Sequence, residues 1–366
     1  MSKHNIKSKP NSSKIKKRKK KKKNANITRA NVPLLMVIAV SAGILLIVAS
    51  YAWLSASLNV KVKFLNLSVS SDHGLFISLD GINFSDSVDI SLDTVINDLN
   101  TTYPSHTNQW TKGLWPVSSN GINNPNRDKF DIYKGEINRE KDKSKKQYLN
   151  ASLMNEDNFD AKNSYIAFDL FLKNVSGSPK SDNLFLEAAS VDFDEGIIPD
   201  DRKAMEGIMN SMRFGFVKVG SVNTRSDINI IQNIVCNNNC QMVIFEPNST
   251  LHSSVSIDSM LESYGINIID GQYSPTYGII AEGTHLEHMN GHEGSGIPLD
   301  TSHFALQNTI TEEDFHNPIF QIPNGITRAR VYIWIEGQDV DSLESSSRGA
   351  AISISIDFVK DLAGYE

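Results

Sequence analysis

The chain has few of the residues from which catalytic and cofactor sites are usually built. Only two cysteines, Cys236 and Cys240, occur in 366 residues, and no further ligand stands at a companion spacing that would make them half of a zinc site. There is no Gly-x-Ser-x-Gly elbow, Walker loop, dinucleotide fingerprint or His-Glu-x-x-His helix. The common nucleophilic, nucleotide-binding and zinc-protease chemistries therefore lack sequence support. Acidic residues are absent from the first 30 positions, and charge of either sign is absent from Leu34 to Leu54.

Those two absences define the N-terminal organisation. The first 30 residues carry thirteen basic side chains, among them the unbroken run Lys16 to Lys23. Such a run repels itself and buries nothing, so residues 1–31 read as a disordered basic tail. Leu34 to Leu54 is 21 residues long with two serines as its only polar side chains. About twenty apolar residues at 1.5 Å rise cover the roughly 30 Å hydrocarbon core, so residues 32–57 read as one transmembrane helix. Tyr51 and Trp53 stand at its outer end, where amphipathic rings favour the headgroup level. The positive-inside bias keeps the tail cytoplasmic and places residues 58–366 outside the cell, with the lipid bilayer as the first partner. The same segment also fits a signal peptide cleaved near Ser50-Tyr51-Ala52 or Ser55-Ala56-Ser57, although its apolar stretch is longer than a usual h-region.

Beyond the tail, 23 basic residues face all 42 acidic ones, a formal charge of −19 for residues 58–366. That field disfavours nucleic acid and anionic membrane as ligands and favours solubility, cations or basic surfaces. Cys236 and Cys240 enclose Asn-Asn-Asn between two apolar runs, Ile230 to Val235 and Gln241 to Phe245. On the exported side this reads as a disulfide at the tip of a hairpin, fixing the loop more than the domain.

Alternating patterns predict a mainly β domain, an antiparallel sandwich with few short helices. Leu58, Val60, Val62 and Phe64 alternate in one phase and Leu65, Leu67 and Val69 in the other, which predicts a bulged strand. Ser164–Lys173 and Leu184–Val191 read as a long hairpin. Val331, Ile333 and Ile335 alternate with Tyr332 and Trp334, and Ile352, Ile354, Ile356 and Phe358 with Ser353, Ser355 and Asp357. Both read as half-buried strands, neighbours in one sheet or joined by a crossover to a second. Met205, Ile208 and Met212 are spaced as on a helix over 200–212. Residues 95–150 are weakly patterned and read as a long surface excursion, pinned to the core by Trp110 and Trp115.

Three sets of residues could carry site chemistry. His285, His288 and His292 offer imidazoles for a metal, but Asn290 and Gly291 break any common helical face. Glu336, Asp339 and Asp341, or Asp192, Asp194 and Glu195, offer hard oxygens to calcium, against the plainer reading of a solvated turn. The same carboxylates would serve a glycoside hydrolase, with nothing fixing their separation. Six Asn-x-Ser/Thr triplets on the exported side, at Asn66, Asn83, Asn100, Asn150, Asn174 and Asn248, are glycan acceptors in a eukaryotic secretory pathway and expected by composition otherwise.

Several short motifs together carry a resemblance. Tyr51-Ala-Trp-Leu-Ser55, Gly74 to Gly81 with Asn83-Phe-Ser85, Trp115-Pro-Val-Ser-Ser119, Ile244-Phe-Glu-Pro-Asn248 and Arg330 to Asp341 resemble those of uncharacterised, N-terminally anchored surface proteins of low-GC bacteria. The membrane-exit motif is similar to that of camelysin-type and biofilm-fibre surface proteins, which implies a jelly-roll-like sandwich. Ser342 stands where that family leads one to expect a cysteine. The resemblance implies location and fold and assigns no residue a role. Two functional classes follow: a surface protein of structural or interaction type, through self-association or contact with other surface proteins, and a glycan-binding or glycan-hydrolysing ectodomain.

Overall fold

The computed structural model describes residues 61–69, 74–111, 113–119, 129–139, 147–154, 156, 161–193, 206–236, 240–264, 267–288, 304–314, 316–342 and 351–361. Every described residue belongs to one compact unit within Ala42–Glu366. The basic tail and the apolar segment with Tyr51 and Trp53 lie outside the described residues. Among the described residues, no helix is long and apolar enough to cross a membrane.

Two large sheets organise the domain. The five-stranded sheet has the order β14 (Phe320–Ile322), β7 (Asp182–Phe193), β16 (Ala351–Asp361), β1 (Lys61–Val69) and β3 (Ser87–Ile90). The six-stranded sheet has the order β13 (Thr309–Thr311), β9 (Gln241–Glu246), β8 (Met212–Val222), β15 (Gly325–Ile335), β6 (Tyr165–Asn174) and β2 (Leu75–Ser78). A smaller sheet joins β11 (Gly283–His288), β5 (Gln147–Leu153) and β4 (Tyr133–Arg139), and β10 (Tyr277–Ile279) pairs with β12 (Phe304–Leu306). The domain is mainly β, as the alternation predicts, but its sheets are mixed. β1 runs parallel to β16, and β13 parallel to β9.

One apolar core takes residues from both large sheets. Leu65 and Leu67 of β1, Leu184 and Leu186 of β7 and Ile352, Ile354, Ile356 and Phe358 of β16 meet Phe168 and Leu170 of β6, Phe214 and Phe216 of β8 and Val331 and Ile333 of β15. Each such side chain contributes roughly 1.5–3 kcal/mol by leaving water. β16 alternates buried and half-buried positions throughout, as its sequence predicts. The bulge predicted near Phe64 is present as a register shift between Val62 and Phe64 in the pairing with β16.

β15 departs from expectation. It is buried on both faces, because a second core of Tyr165, Ala167, Val217, Tyr332, Trp334, Phe130, Val117 and Ile132 covers the far side of the six-stranded sheet. Phe130 meets the Tyr332 ring edge-on, with centroids 5.3 Å apart. Much of that cover comes from the described residues within 95–150, which are therefore not a surface excursion. Val95, Leu99, Tyr103, Trp110 and Leu114 enter the first core, Val117, Phe130 and Ile132 the second, and β4 and β5 fall in the same span. Their thin apolar spacing hid them, because irregular segments insert single side chains without a period. Trp110 is pinned inside, whereas Trp115 is 38 % exposed.

β6 and β7 do not form a hairpin: β6 pairs with β15 and β2, and β7 with β16 and β14. The turn at 175–181 therefore carries the chain from one sheet to the other. β15 and β16 likewise lie in different sheets, the crossover alternative. Ile228–Gln232 is helical, capped by the Asp227 side chain on the Asn229 N–H, so the run Ile230 to Val235 is not a hairpin strand. Of the helix expected over 200–212, residues 206–210 are helical, Ile208 is buried and Met212 begins β8; residues 200–205 lie outside the described residues.

Gly215 on β8 shows how tightly the second core closes. A Cβ there would lie 2.6 Å from Phe130 Cε2 and 2.9 Å from Trp334 Cζ3. Gly215→Ala is therefore expected to destabilise the domain by about 1–3 kcal/mol, read as a lower urea midpoint with unchanged slope.

Candidate functional site: buried carboxylates around Arg213

The chain leaves β15 through Glu336-Gly-Gln-Asp-Val-Asp341, and backbone bonds fold this segment inward. The Glu336 N–H donates to Ser211 O at 2.8 Å and the Gly337 N–H to Val117 O at 2.8 Å. Glu336, Asp339 and Asp341 are thereby buried, so the segment is neither a solvated turn nor an exposed set of oxygen donors.

Arg213 anchors the cluster from β8, paired across the ladder with Trp334. Its Nη2 lies 2.6 Å from Asp339 Oδ2 and 2.7 Å from Glu246 Oε1. The same nitrogen donates to Thr276 Oγ1 at 3.1 Å, Nε to Gln307 Oε1 at 3.2 Å, and Nη1 to the carbonyls of Asn210 and Met212. Glu336 Oε2 accepts from Trp334 Nε1 at 3.1 Å and Gln307 Nε2 at 3.0 Å. Asp341 Oδ1 accepts the Ser253 N–H at 2.8 Å, and its Oδ2 lies 2.8 Å from His252 Nδ1.

Four buried carboxylates, Glu246, Glu336, Asp339 and Asp341, thus face two cations, Arg213 and His252. Burial pushes Glu246 up to about 7, opposed by Arg213 and aided by Asp339. Glu336 and Asp339 are also raised by burial against the pull of Arg213. His252 moves up to about 8 despite burial, because Asp341 and the Gln272 carbonyl favour the imidazolium. The geometry agrees: Nδ1 faces Asp341 and Nε2 lies 2.9 Å from Gln272 O, so both ring nitrogens have acceptors to serve.

A second charged group lies on the outer face of the six-stranded sheet. Asp169 of β6 accepts Arg328 Nη2 at 2.9 Å, Arg330 Nη1 at 3.1 Å and the Tyr103 hydroxyl at 2.9 Å. Glu156 accepts Arg330 Nη2 at 3.0 Å and the Tyr332 hydroxyl at 2.6 Å. The two arginines hold the Asp169 carboxyl below the usual range against its burial.

The other sequence-selected residues are scattered. Cys236 and Cys240 form a disulfide, joining the segment after the 228–232 helix to the approach of β9. Beside it an open groove of about 590 Å³ is lined by β8 residues Lys218–Val222, Gln321 and the exposed Ile230 and Val235. His285 and His288 fall on β11, and His292 lies outside the described residues. Asp192 is exposed on β7, with Asp194 and Glu195 outside the described residues. Among the described residues, no three His, Cys, Asp or Glu side chains are placed to hold a metal ion. Ser342 is buried, and its hydroxyl and the Gln338 side-chain amide have no hydrogen-bond partner among the described residues. Asn174 is fully buried, which closes that triplet to glycan transfer in the folded protein. Comparison with known protein families, curated proteins and solved structures finds no match for this chain.

Two measurements follow from the Arg213 cluster. Arg213→Met leaves Glu246 and Asp339 buried beside no cation, so a loss of about 3–5 kcal/mol in chemical unfolding is expected. Glu246 and His252, both raised, favour the folded state in their protonated forms. Stability is thus expected to fall as pH rises from the ordinary carboxyl range through about 7 for Glu246, and from 6.5 through about 8 for His252. Melting temperatures across pH 5–9 check the sign, and His252→Gln removes the upper part of the slope.

Proposed function

We propose that this chain is a single-pass, membrane-anchored cell-surface protein of structural or interaction type, acting in adhesion or extracellular assembly without catalysis. The observation that carries the reading is the uncharged run Leu34 to Leu54, placed directly after thirteen basic residues and ahead of a mainly β domain. The disulfide is consistent with an oxidising, extracytoplasmic location for that domain. The carboxylates most suited to metal or glycoside chemistry, Glu336, Asp339 and Asp341, are engaged by protein donors. The resemblance to anchored surface proteins of low-GC bacteria supports the same location and a jelly-roll-like sandwich. Partners on this reading are the bilayer and other surface proteins or further copies of the chain, met through exposed features such as the groove beside Cys236.

Protease treatment of intact bacteria expressing the full chain tests the topology. Release of fragments from 58–366, with epitopes in residues 1–30 protected until lysis, is expected. Protection of the β domain in intact cells would overturn the reading.

A further inference from the structure

Inside the domain, where the chain crosses from β6 to β7, three polar side chains meet. Asn174 ends β6, Asp182 begins β7 and Lys360 sits near the end of β16. Asn174 and Asp182 are fully buried and Lys360 is 3 % exposed. An ion pair is a costly way to fill such a site, and an apolar trio of similar volume would serve stability as well. The distances suit another use. Lys360 Nζ lies 2.5 Å from Asn174 Oδ1, which places the amine against the amide group. Asp182 Oδ2 accepts Asn174 Nδ2 at 2.8 Å and Lys360 Nζ at 3.4 Å, so one carboxylate spans both nitrogens. The Ser176 N–H donates to Asn174 Oδ1 at 3.2 Å, where negative charge would develop if the amide carbon were attacked. Ile322 O accepts the other bond of Nδ2 at 3.2 Å and fixes the plane of the amide.

We propose that Lys360 and Asn174 are joined by an intramolecular isopeptide bond that the folded protein makes itself, with Asp182 as the proton-transfer group. Asp182 takes a proton from the Lys360 ammonium, and the freed amine attacks Asn174 Cγ to form the new C–N bond. A further proton from that nitrogen passes by way of Asp182 to Nδ2, the Cγ–Nδ2 bond breaks and ammonia leaves. Lysine and asparagine together lose one ammonia and one proton, the proton resting on Asp182, and nothing is oxidised or reduced. Burial favours the neutral amine, with Asp182 opposing, and holds the Lys360 pKa below that of a free lysine. The reacting groups are held together by the fold, so the step needs no cofactor. The bond would tie β6 of the six-stranded sheet to β16 of the five-stranded sheet across 186 positions of chain, so that neither sheet could be pulled from the other.

Mass spectrometry of the reduced, denatured full chain tests this. The folded protein is expected to be lighter than its sequence by one ammonia and to give a branched tryptic species joining residues 174–180 to 349–366. Lys360→Met and Asp182→Asn are each expected to restore the full mass, with circular dichroism reporting whether each variant folds. Wild-type protein at full mass with free 174–180 peptide would overturn the proposal whatever the variants do. Loss of ammonia without the branched species would also overturn it, as a succinimide at Asn174. Persistence of the branch in Asp182→Asn would overturn the role given to Asp182.

Discussion

The structure depends on one strand that has no solvent face. β15 puts Val331 and Ile333 into the core shared by the two large sheets and Tyr332 and Trp334 into the core beyond it. Antiparallel sheets commonly leave one side to water, so a central strand buried on both needs a cover as well as a partner sheet. The segments around Trp110, Val117 and Phe130 supply it, and the backbone pairs them to the sheet as well: Gln109 exchanges hydrogen bonds with Ala167, and Val117 donates to Ile335 O. Removing that cover would expose aromatic side chains in the middle of a six-stranded sheet.

Burial on both faces forces the charge arrangement. Arg213 on β8 and Arg328 and Arg330 on β15 stand among the apolar residues of central strands, and a buried guanidinium without partners is far costlier than a paired one. Asp169 and Glu156 answer Arg328 and Arg330, while Asp339 and Glu246 answer Arg213. The first group is balanced toward the cations and keeps Asp169 ionised. The second has more carboxylates than cations and holds protons near neutral pH. The exit from β15 turns inward on the backbone bonds of Glu336 and Gly337, and Asp339 lies 2.6 Å from Arg213.

Strands with a solvent face were legible in the sequence and residues that meet across the fold were not. The even positions from Ile352 to Phe358 announced β16, and the phase change near Phe64 announced the bulge, because both signals are local. The same phase reaches Lys360, so a lysine on the inward face was in principle visible as an anomaly. Its partners Asn174 and Asp182 lie between the two predicted strands Ser164–Lys173 and Leu184–Val191, and only the crossing between sheets brings them to it. Glu336, Asp339 and Asp341 stood out as an acidic segment, yet nothing local names Arg213 or Glu246 as their counterparts. β15 looked half-buried because Tyr and Trp commonly face water, and the residues that cover them come from irregular chain without a period.

Hydrogen exchange on the folded full chain tests the two-sided burial of β15 most directly. The amides of residues 326–335, with their partners in β6 and β8, are expected to be the slowest among the described residues and to exchange only through global unfolding. The covering segments near 109–119 and 130–133 are expected to open no earlier than the second core that they close. Exchange of Tyr332 and Trp334 at the rate of exposed turns, while β16 stays protected, would contradict it.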